Sequence, residues 1–378
     1  MSDYLPHELV VKIFTKLPVK SLLRFRSLSK SWCALISSPD FIRKYTLGLV
    51  QTSQKVLIMN NVMGGKDIYT LHEEDRLPLS SGEGYQGVTA VEYPRVEVQI
   101  AGSCNGILCL VDMALRMCLW NFSVRRQVMI PKHPLRSRSS NMTVGFGFDR
   151  IANDYKIMTI HYGDTLRPYI YTRMTATWTP IAPPAGMFYH LRCNSYLIDA
   201  TLYWVASDSP NIPRCIIMTF DLTSHVFGTI PLPEPSFDLS SHVFSTIPLP
   251  EPCWAFEQLG EFNGALAVMC TKGKDPWIWV KKTESNHVSS WSVFLKLESP
   301  QFIVGQLLQP TFNGDLLIHT YPDFQSDGDD RVYNTRTGGL SRLLRFIVYC
   351  NIRMNTYVES IELLDKGTPC GETIKWSE

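Results

Sequence analysis

The chain has no run of about 18 apolar residues, so no transmembrane helix is predicted. Its first residues carry Asp3 and Glu8 and lack a charged stretch leading into an apolar one. That predicts no secretory leader and a cytoplasmic or nuclear location. An excess of charge of one sign is also missing: 36 basic residues stand against 35 acidic ones, a net charge of +1. Wholesale binding of nucleic acid or of a membrane surface calls for a more lopsided balance. The ten cysteines include no C-x-x-C pair and have no histidine at finger spacing, so no metal site is expected. Without a leader the expected compartment is reducing, and the cysteines read as small buried apolar residues. The sequons at Asn121 and Asn141 are then chance matches, since glycosylation needs secretion. G-x-S-x-G, H-E-x-x-H and G-x-x-x-x-G-K-[ST] are all absent, and the nine histidines are scattered singly. No catalytic residue and no cofactor are predicted.

What is present divides unevenly. Residues 1–50 hold eight Lys and Arg and three Asp and Glu, a net of +5, which leaves the remainder at −4. Leu5, Leu9, Val10, Ile13, Phe14 and Leu17 recur at helical spacing, with Pro6 in the first turn and Pro18 at the end. A second helix is predicted around Ser21–Phe25. Ser29 caps a third carrying Trp32, Leu35 and Ile36. Ser38-Pro39 starts a fourth, with Phe41 inward and Gly48 as the stop. So small a bundle buries little by itself and is expected to lean on a partner.

This string, LPHELVVKIFTKLPVKSLLRFRSLSKSWCALISSPDF, closely resembles an F-box. The matching positions are Leu5, Pro6, Glu8, Ile13, Leu17, Pro18, Leu22, Arg24, Phe25, Arg26, Trp32, Ser38, Pro39 and Phe41. Leu28-Ser29-Lys30 stands where the family often has Val-Cys-Lys. The resemblance implies docking on the small acidic Skp-type adaptor of a cullin–RING ubiquitin ligase. Adaptor contacts are then expected from Leu5, Pro6, Glu8, Leu9, Ile13, Leu17, Pro18, Leu22, Arg26 and Trp32. A +5 module suits an acidic partner, and apolar residues at i, i+4 and i+8 suit helix-in-groove docking. Sequence does not separate the residues that dock from those that pack the bundle itself.

Residues 51–378 have almost no helical periodicity and are rich in Val, Ile, Tyr, Trp and Phe between turn signals, which predicts β structure. Two markers repeat. Asn105-Gly106, Asn263-Gly264 and Asn313-Gly314 suit type I′ hairpin turns, with weaker copies at Asn153-Asp154 and Asp199-Ala200. Their spacings are 48, 46, 64 and 50. The 64 has a cause: FDLTSHVFGTIPLPEP at 220–235 returns as FDLSSHVFSTIPLPEP at 237–252, identical at 14 of 16 positions with an offset of 17. Subtraction gives 47. The second marker is an aromatic read as opening a strand, then a polar turn, at Tyr69, Trp120, Tyr171, Phe220, Trp279 and Tyr333. Two interleaved markers with one period near 50 are the signature of a β-propeller, here of six blades. Tyr357–Ile361 is expected to complete a blade begun near Lys55–Ile58.

GSCNGILCL, VGFGFDRIANDYKIM, MTFDLTSHVFGTIPLPEP and SSWSVFLKL resemble the kelch-like, F-box-associated domain of plant F-box proteins of the immune-regulatory and S-locus kind. The predicted fold is therefore mostly β: a small helical F-box over 1–50, then a six-bladed propeller over 51–378 with a tandem duplication at 220–252.

Other features read as scaffold. Gly82–Gly87 spells G-x-G-x-x-G but β-like sequence follows it, so a loop is expected. Asp323, Asp327, Asp329 and Asp330 miss calcium-loop spacing. Arg125, Arg126, Lys132, His133, Arg136 and Arg138 form a basic stretch, and its arginines are the local candidates for target recognition. The resemblance implies a non-catalytic substrate receptor of an SCF-type ligase that holds a target protein for ubiquitination and proteasomal degradation. Its partners would be the adaptor, through it the cullin, and the target, with no nucleic acid and no membrane insertion. The alternatives are a propeller enzyme or sugar-binding module with a vestigial F-box, and an F-box scaffold that does not lead to degradation.

Overall fold

The structure is a computed structural model. It describes residues 6–52, 55–60, 67–73, 89–93, 98–112, 114–135, 142–162, 165–184, 191, 195–207, 215–231, 258–262, 264–272, 275–283, 289–296, 303–310, 315–321, 329–342, 352–362 and 364. Two compact units emerge. One comprises 1–75, 87–132 and 355–378; the other comprises 76–86 and 133–354.

The first unit opens with four helices: α1 (His7–Phe14), α2 (Val19–Leu28), α3 (Lys30–Ile36) and α4 (Pro39–Thr52). Ser29 caps α3 as expected, its Oγ accepting from the Trp32 N–H at 3.1 Å. Ser38 Oγ accepts from the Phe41 N–H at 3.3 Å and starts α4. Two expectations change. Pro18 does not terminate α1, which ends at Phe14; it stands immediately before α2. Gly48 does not stop α4, which continues to Thr52. Phe41 and Tyr45 are buried one turn apart on that helix, and this packing outweighs the roughly 1 kcal/mol a mid-helix glycine costs.

Strands follow in groups of four, with consecutive strands antiparallel. In the first unit, β1 (Lys55–Asn60), β2 (Asp67–Glu73) and β3 (Thr89–Tyr93) form one sheet; β4 (Gln99–Cys104), β5 (Ile107–Val111), β6 (Met117–Asn121) and β7 (Arg126–Met129) form the next. In the second unit, the first sheet holds β8 (Met142–Asp149), β9 (Asp154–His161), β10 (Arg167–Thr172) and β11 (Thr177–Pro180). The second holds β12 (Tyr196–Ile198), β13 (Thr201–Ser207), β14 (Cys215–Asp221) and β15 (Val226–Pro231). A third holds β16 (Gln258–Phe262), β17 (Ala265–Lys272), β18 (Asp275–Thr283) and β19 (Ser289–Lys296). The last holds β20 (Ile303–Pro310), β21 (Leu316–Tyr321), β22 (Asp329–Tyr333) and β23 (Leu340–Arg342). The final strand, β24 (Ile352–Tyr357), lies beside β1 in the order β24-β1-β2-β3.

That order explains the repeat. The five Asn-Gly-type positions fall between the first and second strands of five sheets. In the sixth, those two strands are β24 and β1, at opposite ends of the chain, so no turn joins them. Asn105 and Gly106 have φ of 50° and 75°, joining the paired residues Cys104 and Ile107 by a two-residue turn. Asp199 and Ala200 do the same at 45° and 63° between Ile198 and Thr201. Gly264 has φ 78° before Ala265, while Asn263 and Asn313-Gly314 lie outside the described residues.

The six aromatics do not open strands. They occupy the third strand of each sheet (β2, β6, β10, β14, β18 and β22), and all but Tyr333 are buried. In three sheets the next residue builds the turn. Asn121, Asp221 and Asn334 each accept two backbone N–H bonds from the residues two and three further on, an Asx turn. Tyr357–Ile361 is likewise not the closing strand. β24 ends at Tyr357, and the residues after it have another role.

The first copy of the duplicated segment forms the hairpin β14–β15; the second lies outside the described residues, as does Gly82–Gly87. Leu202, Trp204, Met218, Phe220 and Leu222 are buried together with Met158 and Ile160 between two sheets of the second unit. Cys109 and Cys118 are buried as expected. Cys33, buried in α3, departs from the expected reduced state and is disulfide-bonded.

Candidate docking surface on the helical module

Helix α1 presents two faces. Phe14 is buried, with its ring 5.2 Å from Phe25 and 5.6 Å from Trp32. On the opposite side Leu9 and Ile13, one turn apart, are 44% and 48% exposed. Large apolar side chains left in water on a short helix mark a surface that gains by being covered. Pro6 and Glu8 are exposed in the first turn, where a carboxylate favours the helix dipole. Pro18 is exposed at the start of α2, and Leu28 at its end is 68% exposed. Lys12, Lys20 and Arg24 are exposed on the same two helices and Lys16 in the turn between them, and they make the surroundings basic.

The remaining predicted positions serve the interior. Leu22 is fully buried. Leu17 is half-buried, and its carbonyl accepts from the Tyr45 hydroxyl at 2.9 Å. Burial pushes the Tyr45 hydroxyl well above its ordinary pKa, aided by Glu359, so it remains a donor. Trp32 is half-buried, edge-on to Phe14 and Phe25. Arg26 is buried, and its Nε donates to Ser37 Oγ at 2.9 Å. Burial lowers its pKa, and the charge of Arg126 lowers it further. Leu22 and Arg26 therefore hold the helices in place and present no side chain to a partner. Leu5 lies outside the described residues. The structure thus brings Pro6, Glu8, Leu9, Ile13 and Pro18 to the surface and adds Leu28, which sequence reasoning passed over. Its signal was an apolar residue next to a capping serine, with no inward partner in the pattern.

The arginine candidates divide as well. Arg125 is exposed in the turn between β6 and β7, with φ 54°. Arg126 is half-buried in β7, near enough to Arg26 for their charges to interact, so both lie beside the helices. Arg136 and Arg138 lie outside the described residues. His133 adds no charge to the stretch. It is buried, hydrogen-bonded at Nε2 to Thr159 Oγ1 at 2.9 Å, and its pKa is lowered by burial. Among the described residues no group of three or more His, Cys, Asp or Glu can hold a metal ion, and no helix is long and apolar enough to cross a membrane.

A basic helical module with an outward apolar stripe, carried on four-stranded β-sheets, is the build of a docking protein. Comparison with known proteins gives the class a family. Residues 3–44 match the F-box domain, and residues 83–304, more than half of the chain, match the F-box associated beta propeller domain. The chain belongs to the F-box proteins that carry this propeller domain. An F-box/kelch-repeat protein of Arabidopsis thaliana is 26% identical over 312 residues, covering 78% of this chain and 79% of its own length. The Arabidopsis thaliana F-box protein CPR1 is 26% identical over 330 residues, covering 79% and 74%. Among solved structures, a puromycin hydrolase is similar at 12% identity and a TM-score of 0.41, over 67% of this chain and 40% of that one. The β-propeller domain of the trilobed protease from Pyrococcus furiosus is similar at 7% and 0.40, over 78% and 92%. The two domain matches give the chain the general role of a substrate adaptor of SCF type.

Proposed function

We propose that the helical module binds a Skp-type adaptor through Pro6, Leu9, Ile13, Pro18 and Leu28, and that the propeller domain holds a target protein for ubiquitination and proteasomal degradation. The exposed pair Leu9 and Ile13 carries this reading, because their helix already buries its other face against the bundle. Covering two such side chains removes apolar surface from water at about 25 cal/mol per Å². The basic rim of Lys12, Lys16, Lys20 and Arg24 steers an acidic adaptor toward that stripe. In this role the chain itself breaks no bond. It raises the effective concentration of target lysines near a conjugating enzyme carried by other subunits, in the cytoplasm or nucleus.

The test is reconstitution with purified adaptor, cullin and conjugating enzyme, using as substrate a protein captured by the full chain. A ubiquitin ladder on that protein that depends on the full chain supports receptor function. Capture without a ladder in an otherwise active ligase makes the chain a scaffold.

A further inference from the structure

The helices do not close their own core. Two of its buried residues come from outside them: Val124, in the turn between β6 and β7, and Ile361, in the segment after β24. They are far apart in sequence, and one side chain holds both. Asn121, fully buried at the end of β6, accepts at Oδ1 from the Ser123 N–H at 2.9 Å and the Val124 N–H at 3.3 Å, which shapes the turn that presents Val124. Its Nδ2 donates to the carbonyls of Ser360 at 3.0 Å and Glu362 at 2.8 Å, the residues on either side of Ile361. Both lone pairs and both N–H groups of the amide are therefore used.

The surroundings fix the same segment. The Tyr357 hydroxyl donates to the Gly106 carbonyl at 2.9 Å, and the Ser360 N–H donates to Ser123 Oγ at 3.4 Å. Gly106 has to be glycine: a Cβ there would stand 2.3 Å from the Val358 carbonyl oxygen. Lys55 pairs with Glu359 at 3.0 Å. Residues 358–362 are thus pinned along the second sheet, and Ile361 projects from them into the helices.

We infer that Asn121 is a positioning residue that sets the orientation of the F-box on the first two sheets, with Ile361 as the wedge it holds in place. The inference deepens the proposed receptor role, since it fixes where an adaptor bound on α1 lies relative to those sheets. Without the Nδ2 donors, two carbonyls lose their partners and water competes for them. The segment then loosens and Ile361 withdraws. The helices keep the part of the core that they supply themselves and the stripe at Leu9 and Ile13, and lose their fixed angle.

The experiment is a distance distribution by electron–electron double resonance on the full chain. Spin labels are carried on non-natural residues at Lys44 in α4 and Ala114 between β5 and β6, both exposed and neither among the residues proposed to meet the adaptor. Asn121→Asp keeps the Oδ1 acceptor and loses the donors; Ile361→Ala keeps every backbone bond and removes the wedge. The expected result is one narrow distance in the wild type and a broad or bimodal distribution in both variants, with adaptor affinity within about threefold of wild type. If Asn121→Asp does not fold, Ile361→Ala decides alone. A distribution as narrow as wild type in folded Ile361→Ala overturns the inference. Broadening in the variants together with a wild type that binds no adaptor leaves the positioning role intact and removes the receptor reading.

Discussion

The Lys156 ammonium lies 2.7 Å from the Asp149 carboxylate, with the two side chains only 6% and 2% exposed. It also donates to the Leu222 carbonyl at 2.7 Å and to His225 Nε2 at 2.8 Å. Asp149 in turn accepts from the N–H groups of Ile151 and Ala152 and from Thr223 Oγ1. Two stretches that looked like separate signatures in the sequence therefore meet: FDRIANDYK supplies both members of a buried ion pair, and FDLTSHVF supplies Leu222, Thr223 and His225 as its hydrogen-bond partners. It ties the sheet of β8–β11 to the β14–β15 hairpin.

Breaking this pair from one side leaves a buried charge uncompensated. Lys156→Met or Asp149→Ala is expected to destabilise the second unit by about 3–5 kcal/mol, and the double replacement by much less than the sum. Chemical denaturation of the four proteins of the cycle measures this. Burial alone would raise the Asp149 pKa, but the bonds from Lys156, Ala152 and Ile151 outweigh it and the net shift is downward. The folded state thus holds the carboxylate ionised. Its contribution is complete above the ordinary carboxylate range and is lost as pH falls through the folded value.

The tandem duplication gives a sharper test. Deleting residues 220–236 joins Thr219 to Phe237 and rebuilds the hairpin from the second copy, with serine in place of Thr223 and Gly228. A serine hydroxyl can replace the Thr223 bond to Asp149. A Cβ at Gly228 would meet only the Thr219 side-chain oxygen, at 2.7 Å, which can rotate away. Stability within about 1 kcal/mol of wild type is expected, against a clear loss for His225→Ala, which removes an acceptor of Lys156. A deletion that unfolds the second unit would show that the copies are not interchangeable.

His161 should contribute to acid sensitivity, alongside His72, whose buried ring is lowered to about the same value. The His161 ring is buried, neither nitrogen has a hydrogen-bond partner among the described residues, and it lies 4.8 Å from the ring of His133. Burial, then the neighbouring His133 and Arg167, lower its pKa to about 4. The folded state binds this proton more weakly than the unfolded chain, so stability is full above about pH 6.5 and declines toward pH 4. His161→Phe, which forfeits no hydrogen bond, is expected to flatten that decline. Melting temperatures at pH 5 and 7.5 check it; equal slopes for the two proteins would assign the acid sensitivity elsewhere.

One turn is under-optimised. Ala200 holds φ 63° in a position that glycine adopts without strain. Ala200→Gly is expected to stabilise the β12–β13 hairpin by roughly 1 kcal/mol, an uncommon sign for a glycine substitution. A shifted denaturant midpoint with an unchanged slope is the readout.

Local signals made much of this architecture legible. The Asn105-Gly106 and Asp199-Ala200 turns, the aromatics followed by polar turns and the serine caps each act over a few residues; the turns and caps stand where they were expected, and the aromatics inside strands or at their ends instead of at their starts. The family resemblance was carried by the same short blocks. What escaped was set by distance along the chain. Nothing local ties Asn121 to Ser360 and Glu362, 239 and 241 residues away, or places Ile361 in the helical core. Helical periodicity showed that Leu9, Ile13, Phe14 and Leu22 are apolar, but which of them face water depends on how α1 meets α2 and α3. Arg26 was expected as a contact residue from its match to the F-box pattern; its place beside Ser37 follows from tertiary packing alone.

The central claim is that the outward stripe of α1 is the adaptor site. The direct measurement is calorimetric titration of purified Skp-type adaptor into the full chain and into Leu9→Asp/Ile13→Asp. Both residues are half in water, so the double variant should keep its fold and its melting temperature. The account predicts tight binding by the wild type and a loss of at least about a hundredfold in the variant, nearly 3 kcal/mol. Equal affinity for the two proteins, or no heat from the wild type, would contradict it.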